Sequence, residues 1–327
     1  MSRARRRDLA ALTVLGALLL AFPAFAGDYA VSLAILVLFA AYLGAAWNIM
    51  MGFAGLLSLG HALYFGLGAY LSAALFLHAG LSPWLGMALG AALATAAGLA
   101  IGALSFRFRV GGVYFALLTI AFAEFVRILA DHVGWIGASS GLFLPVEHGT
   151  ALDLAALRGG PVLFYYLLFA ATLGILVLGR LLLGSRIGYY WLAIREDEAA
   201  AQASGINVFR CKLAAIALSA GLTAPAGTLY AFYYANLLPE TIFALGRSIE
   251  LMLPAIIGGL GTLCGPLVGA VVLTLLSEGL TQLTANLGVD GLKQLLYGVL
   301  LGAIVLLQPA GLWPLLARRL GLAHTPR

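Results

Sequence analysis

Apolar residues gather along this chain in long runs, at about 9–26, 30–51, 53–78, 84–104, 113–130, 162–183, 213–235, 248–262, 263–284 and 291–308. Most runs are helix-length and rich in Leu, Ala and Gly. A membrane-spanning strand needs only about 9–11 residues of alternating polarity, and no run alternates. A spanning helix asks for about 20 apolar residues. In lipid the backbone must satisfy itself, which leaves helices as the alternative to a closed barrel. The pattern predicts an all-α, polytopic membrane protein of about ten transmembrane helices, forming a single domain over residues 1–327.

Basic residues between the runs set the orientation. Arg3, Arg5, Arg6 and Arg7 precede the first run and place the N-terminus in the cytoplasm. Four crossings later the chain returns inside at Arg107 and Arg109. The loop at about 131–161 carries Asp131, Glu147 and Asp153 against Arg158, which suits the outside. Residues 184–212, with Arg186, Arg195, Arg210 and Lys212, return inside, and Arg318, Arg319 and Arg327 put the C-terminus there too. Both ends inside requires an even number of crossings. The run 248–262 is short and ends in Gly258-Gly259-Leu260-Gly261. It either crosses, giving ten spans, or turns back, giving nine and stranding Arg318 and Arg319 outside; parity selects ten. Arg3–Arg7, an apolar run and Ala24-Phe25-Ala26 also fit a cleavable signal peptide. The other reading, an uncleaved first helix, is favoured by the length of the run.

Composition sharpens this picture. The chain is 63% hydrophobic and 9% charged, with a mean hydropathy of +1.04. A soluble domain is about 45–50% apolar and about 25% charged. Disorder needs low hydrophobicity and high net charge. The net charge of +5 does not point to nucleic acid, because the arginines are scattered beside apolar runs. Cys211 and Cys264 make no metal spacing, and whether they pair is open at this level.

One cytoplasmic loop is substantial: residues 184–212, GSRIGYYWLAIREDEAAAQASGINVFRCK. Arg195-Glu196-Asp197-Glu198 cannot lie in a span, since each charge at a helix centre costs about 2.5–3.5 kcal/mol. Helix formers over 191–204, then Gly205, Ile206 and Asn207, predict a short cytoplasmic helix with a C-terminal stop. Trp191, Ile194 and Glu198 share one face. The segment is either a solvated connector or a docking element for a cytoplasmic partner; its mixed charge argues against a lipid-surface helix.

Catalytic signatures are missing. A phosphate-binding loop needs GxxxxGK[ST], and the two lysines, Lys212 and Lys293, lie in neither such context. The five histidines do not cluster, and no HExxH, GxSxG or dinucleotide fingerprint is present. The expectation is a protein without its own ATPase site, cofactor or metal. Polar residues inside the runs are few. Glu124 and Arg127, at i and i+3, are either a local ion pair that lowers insertion cost or a polar group facing a pathway. Asn48 and His61 are placed to bridge helices. Gly52-Phe53-Ala54-Gly55-Leu56-Leu57-Ser58-Leu59-Gly60-His61 is echoed by Gly259-Leu260-Gly261-Thr262-Leu263-Cys264-Gly265-Pro266, with Gly-Leu-x-Ser/Thr-Leu in both. Such breaks mark either close packing or a transport pathway.

Four stretches resemble one family: GFAGLLSLGHALYFGLGAY (52–70), GGVYFALLTIAFAEFVRILA (111–130), RIGYYWLAIREDEAAAQASGINVFRCKLAAIALSAGLTAPAGTLYA (186–231) and SIELMLPAIIGGLGTLCGPLVGA (248–270). In that order they resemble the LivM-type permeases of branched-chain amino-acid ABC importers. The resemblance implies a type II importer fold in a bacterial inner membrane. It implies a second permease subunit, two ATP-hydrolysing subunits and a periplasmic substrate-binding protein as partners. The solute would be amino-acid-like; related permeases carry urea or short amides. The docking residues implied are Arg195, Glu196, Asp197, Glu198, Gly205 and Asn207. Gly60, His61, Glu124, Gly265 and Pro266 are pathway candidates. One departure is Gly137-Ala138-Ser139-Ser140-Gly141, where the family often has an Asp before the final Gly.

In this topology fourteen of the eighteen basic residues lie inside, the exceptions being Arg127, Arg158, Arg247 and Lys293. Single-cysteine labelling in a Cys-free background checks it. Position 147 should react from the outside only and position 318 from the cytoplasm only; the reverse at either position overturns the topology.

Overall fold

The computed structural model describes residues 20–145, 153–284 and 292–319. Most of the first apolar run, 9–26, lies outside them; residues 20–25 are helical. The long helices are α1 (Asp28–Asn48), α2 (His61–Ala79), α3 (Pro83–Arg107), α4 (Val113–His132) and α5 (Pro161–Leu183). Two short helices follow, α6 (Arg186–Glu196) and α7 (Glu198–Ala203). The remainder is α8 (Val208–Tyr234), α9 (Pro239–Ile242), α10 (Leu245–Gly258), α11 (Gly265–Thr284), α12 (Leu292–Leu307) and α13 (Leu312–Arg319). A two-residue antiparallel ladder joins β1 (Leu142–Phe143) to β2 (Asn236–Leu237), pairing Leu142 with Leu237.

Among the described residues eight helical segments are long and apolar enough to cross a membrane, or nine if α12 and α13, bent by 60°, make one span. The protein is therefore an all-α, multi-pass membrane protein. The ambiguous run belongs to one of these segments, Pro239–Gly258, in which α9 supplies the length that α10 lacks alone. The predicted run 53–78 is not one helix. The end of α1 continues as a π-helical turn, Ile49–Phe53, and residues 54–60 are non-helical before α2 begins at His61. Leu and Ala on both sides of the glycines conceal that break in the sequence.

Small residues bring the helices together. The buried face of α3 includes Gly86, Gly90, Ala94, Gly98 and Gly102, a stripe repeating every four residues. Such a stripe lets backbones approach, which is what holds helices together where lipid offers no hydrophobic drive. A methyl on Gly68 of α2 would lie 2.1 Å from the Ala224 carbonyl oxygen of α8, and one on Gly227 of α8 would lie 2.0 Å from the Phe65 oxygen. Helices α2, α3 and α8 thus form one tight group. Around it, α1 packs against α5, α10 and α11. Cys211 and Cys264 are free thiols.

Helices α10 and α11 form a hairpin of equal closeness. A methyl on Gly258 would fall 1.7 Å from the Gly265 oxygen, and one on Gly269 would fall 1.9 Å from the Pro254 oxygen. Gly311, at φ +81, lays the start of α13 against Gly259 of the same hairpin. Gly258→Ala should therefore destabilise the protein by about 1–3 kcal/mol through overpacking. Gly246→Ala, at a position with no atom within 4 Å, should leave it unchanged. Thermal unfolding in detergent checks both; equal midpoints for the two variants would contradict the packing.

Candidate functional site

The segment 184–212 folds as two short helices, not the single helix expected over 191–204. Helix α6 starts at Arg186, five residues earlier, where Gly188 turns so closely that a methyl would meet the Leu182 oxygen at 2.2 Å. The break falls at Asp197, whose backbone is extended and whose Oδ1 accepts from Ala200 N at 3.0 Å. A carboxylate in the N-cap position satisfies an orphan N–H of the next helix, and that local bond outcompetes helix continuation. Gly205 takes φ +85, and Asn207 caps α8 by accepting from Arg210 N.

One face of α6 is nailed to the protein. Trp191 is fully buried and donates from Nε1 to the Cys211 oxygen at 2.8 Å; Ile194 is buried beside it. Glu198 does not continue that face. It pairs with Lys212 near the start of α8, whose ammonium also lies 5.2 Å from the Phe106 ring centroid. Tyr189, Tyr190, Glu196 and Asp197 remain exposed, the Glu196 side chain by 76%. The predicted docking residues therefore separate: Glu196 and Asp197 face outward, Glu198 serves an internal pair, and Gly205 and Asn207 shape the backbone.

Arg195 also turns inward. Its Nη1 donates to the Gly52 oxygen at 2.6 Å, at the π-helical end of α1, and its Nη2 to Glu196 Oε1 at 3.0 Å. Asn48 completes this junction: its Nδ2 donates to the Thr262 oxygen and its Oδ1 accepts from Gly261 N, both at 2.9 Å. The two glycine motifs that echo each other in sequence thus meet in space, yet fold differently. Residues 54–60 run as an open stretch, whereas 259–264 turn between α10 and α11.

The pathway candidates also separate. Gly265 and Pro266 belong to the hairpin, where Pro266 packs on Gly44. His61 is fully buried, with Nδ1 3.1 Å from Ser58 Oγ and Nε2 2.8 Å from Ser219 Oγ. Gly60 presses on α4 so closely that a methyl would lie 2.2 Å from the Thr119 oxygen. Glu124 lines a small pocket with Leu59, Ile120, Ala123, Phe243 and Leu245, next to but not including Gly60.

Glu124 is 48% exposed although it lies within a span. Arg127 holds it through Nε and Nη2, and holds Asp131 through Nη1 at 2.9 Å. A second pair lies on α10, where the apolar run that begins at 248 leaves Arg247 just outside it. Arg247 donates to Glu250 at 3.1 Å and to the Tyr230 hydroxyl at 3.2 Å, with its guanidinium 5.1 Å from the Tyr230 ring centroid. Glu250 is 66% exposed, also within a candidate span. The i, i+3 spacing shared by both pairs was the available signal. Together α4 and α10 present a face on which charged residues and exposed Leu245 and Ile249 mix. Ionisable groups at membrane depth face protein or water rather than lipid, so this face is not a simple lipid contact.

Comparison with known proteins accords with this arrangement. A family model described as the permease component of a branched-chain amino acid transport system matches residues 26–307. The chain is similar to the high-affinity branched-chain amino acid transport system permease protein LivM of Escherichia coli, at 29% identity over 96% of this chain and 76% of the relative. LivM of Salmonella typhimurium is likewise 29% identical, over 92% and 74%. A probable LivM of Methanocaldococcus jannaschii is 26% identical over 62% and 60%. No solved structure matches the chain. With most of its length covered by one family model, and that length folded into apolar helices around two glycine breaks, this chain belongs to the branched-chain amino acid transport permease family.

Proposed function

We propose that this protein is the membrane-spanning subunit of an ATP-driven importer that carries branched-chain or other hydrophobic amino acids across a bacterial inner membrane. In this reading both termini are cytoplasmic. ATP is hydrolysed on two separate subunits, a periplasmic binding protein delivers the solute, and a second permease covers the open face of α4 and α10. The observation that carries the reading is α6: a helix pinned by Trp191 and Ile194 that holds Tyr189, Tyr190, Glu196 and Asp197 out of the protein. The names of the relatives support the solute class.

The open face suits the solute chemically. A hydrophobic amino acid is a zwitterion with an apolar side chain. Glu124, Arg127 and Asp131 on α4 and Arg247 and Glu250 on α10 offer both signs of charge, while the neighbouring Leu, Ile and Phe residues tolerate an apolar group. A solute passing such a wall finds partners for both charges without being held by either.

Glu196→Ala with Asp197→Asn should remove the docking charges while an Asn oxygen still caps α7, and so spare the Glu198–Lys212 pair, whose loss would leave a buried ammonium. The double variant should reach the membrane in normal amount, retain less than a tenth of the ATPase subunit in pull-down, and lose leucine uptake at least tenfold. Normal retention of the ATPase would remove the docking assignment. Competition of labelled leucine by urea or acetamide, but not by valine, would reassign the solute. Uptake that follows an ion gradient without ATP would replace the importer reading altogether.

A further inference from the structure

The inward turn of Arg195 gives it a different task from its neighbours. We propose that Arg195 is a positioning residue that ties the cytoplasmic helix α6 to the two glycine breaks of the membrane domain, so that a displacement of α6 is carried directly to the ends of α1 and α10. The proposal rests on docking of an ATPase at α6, as set out above.

Four observations carry it. The Gly52 carbonyl sits at the C-terminal end of α1, where helices leave acceptors without an intrahelical partner, and a guanidinium there is favoured by the helix dipole. Arg195 meets that oxygen at 2.6 Å although 143 residues separate the two in sequence. The slot it occupies is built from missing side chains. A methyl on Gly261 would lie 2.5 Å from Nη1, and one on Gly55 would lie 3.0 Å from Cγ; both glycines have positive φ, +74 and +71. On its outer side the same guanidinium holds Glu196, which reaches solvent. Asn48 meanwhile bonds Gly261 and Thr262, so the end of α1 and the α10–α11 turn behave as one body where Arg195 takes hold. An arginine is suited to this because its planar fork binds two acceptors at once, which a lysine ammonium does not do in fixed geometry.

The assembled importer, reconstituted in liposomes, provides the test. Arg195→Met keeps the stem and removes every donor. It should leave ATPase subunits bound and ATP hydrolysis within about twofold, while leucine uptake falls at least tenfold. Arg195→Lys should recover part of the uptake. Spin labels at positions 186 and 260 report the tie directly: their distance distribution should be narrow in the native complex and broad in both variants. Loss of ATPase binding in Arg195→Met, with the Glu196 and Asp197 variant still retaining the ATPase, would make Arg195 itself the docking contact and overturn the proposal. Normal uptake in Arg195→Met would overturn it as well. Should Arg195→Met fail to assemble, Arg195→Lys decides: native uptake with an unbroadened distribution overturns the tie, and reduced uptake with a broadened one supports it. Retained ATPase in the Glu196 and Asp197 variant, together with reduced uptake and broadening in the Arg195 variants, would remove the docking reading alone.

Discussion

The structure depends on one constraint: a backbone that leaves the helix inside a membrane protein must find its hydrogen bonds within that protein. An unpaired peptide group in hydrocarbon costs several kcal/mol. Residues 54–60 meet the constraint through side chains from around the fold. Trp47 Nε1 donates to the Ser58 oxygen, Thr119 Oγ accepts from Leu59 N, and Ser248 Oγ accepts from Ala62 N just beyond. The turn at 259–262 is served by Asn48. These polar residues are few in so apolar a chain, and each is spent on a break. The breaks in turn fix where α1, α2, α4 and α10 can lie, because each donor or acceptor is carried on one of them.

Glycine is the second half of the same solution. Where a side chain supplies a bond, a glycine opposite supplies the room: Gly52 against Asn48 and Gly261, Gly60 against Thr119, Gly265 against Gly259 and Thr262. Packing and pathway readings of these glycines therefore do not compete on sterics. Enlarging Gly60 or Gly265 collides with backbone whether or not solute passes beside it. The discriminating positions are the open ones, Glu124 and Glu250, whose side chains bond only within their own helices, so that substitution leaves the contacts between helices intact.

Most spans were legible in the sequence to within a few residues because apolar run length is a direct record of membrane thickness; the exceptions are the starts of α2, at His61, and of the segment Pro239–Gly258. The basic residues likewise marked the loop at 184–212. What escaped was the interior of runs. The break at 54–60 is written in Gly, Leu and Ser, which also suit a helix. The division at Asp197 depends on a cap whose benefit is local and small. The inward direction of Arg195 could not be read, since its partners lie at positions 52 and, beyond its slot, 261. Arg247 was hidden for a different reason: beside Gly246 and the non-helical Phe243–Ala244 it resembles a loop cation, and only the short α9 carries the span past it.

The bond between Asn48 and the α10–α11 turn has a consequence for synthesis. Its two partners are separated by 213 residues. At about 5–20 residues per second, the ribosome needs roughly 10–40 s to deliver Gly261 after Asn48 has emerged. Throughout that interval α1 stands in or at the membrane with the Asn48 amide still waiting, and the Gly52 carbonyl waits for the 143 residues that lead to Arg195. Water at the membrane boundary, headgroups or the insertion machinery must serve those groups meanwhile. The first helices of this permease are thus provisional until the last third of the chain has been made.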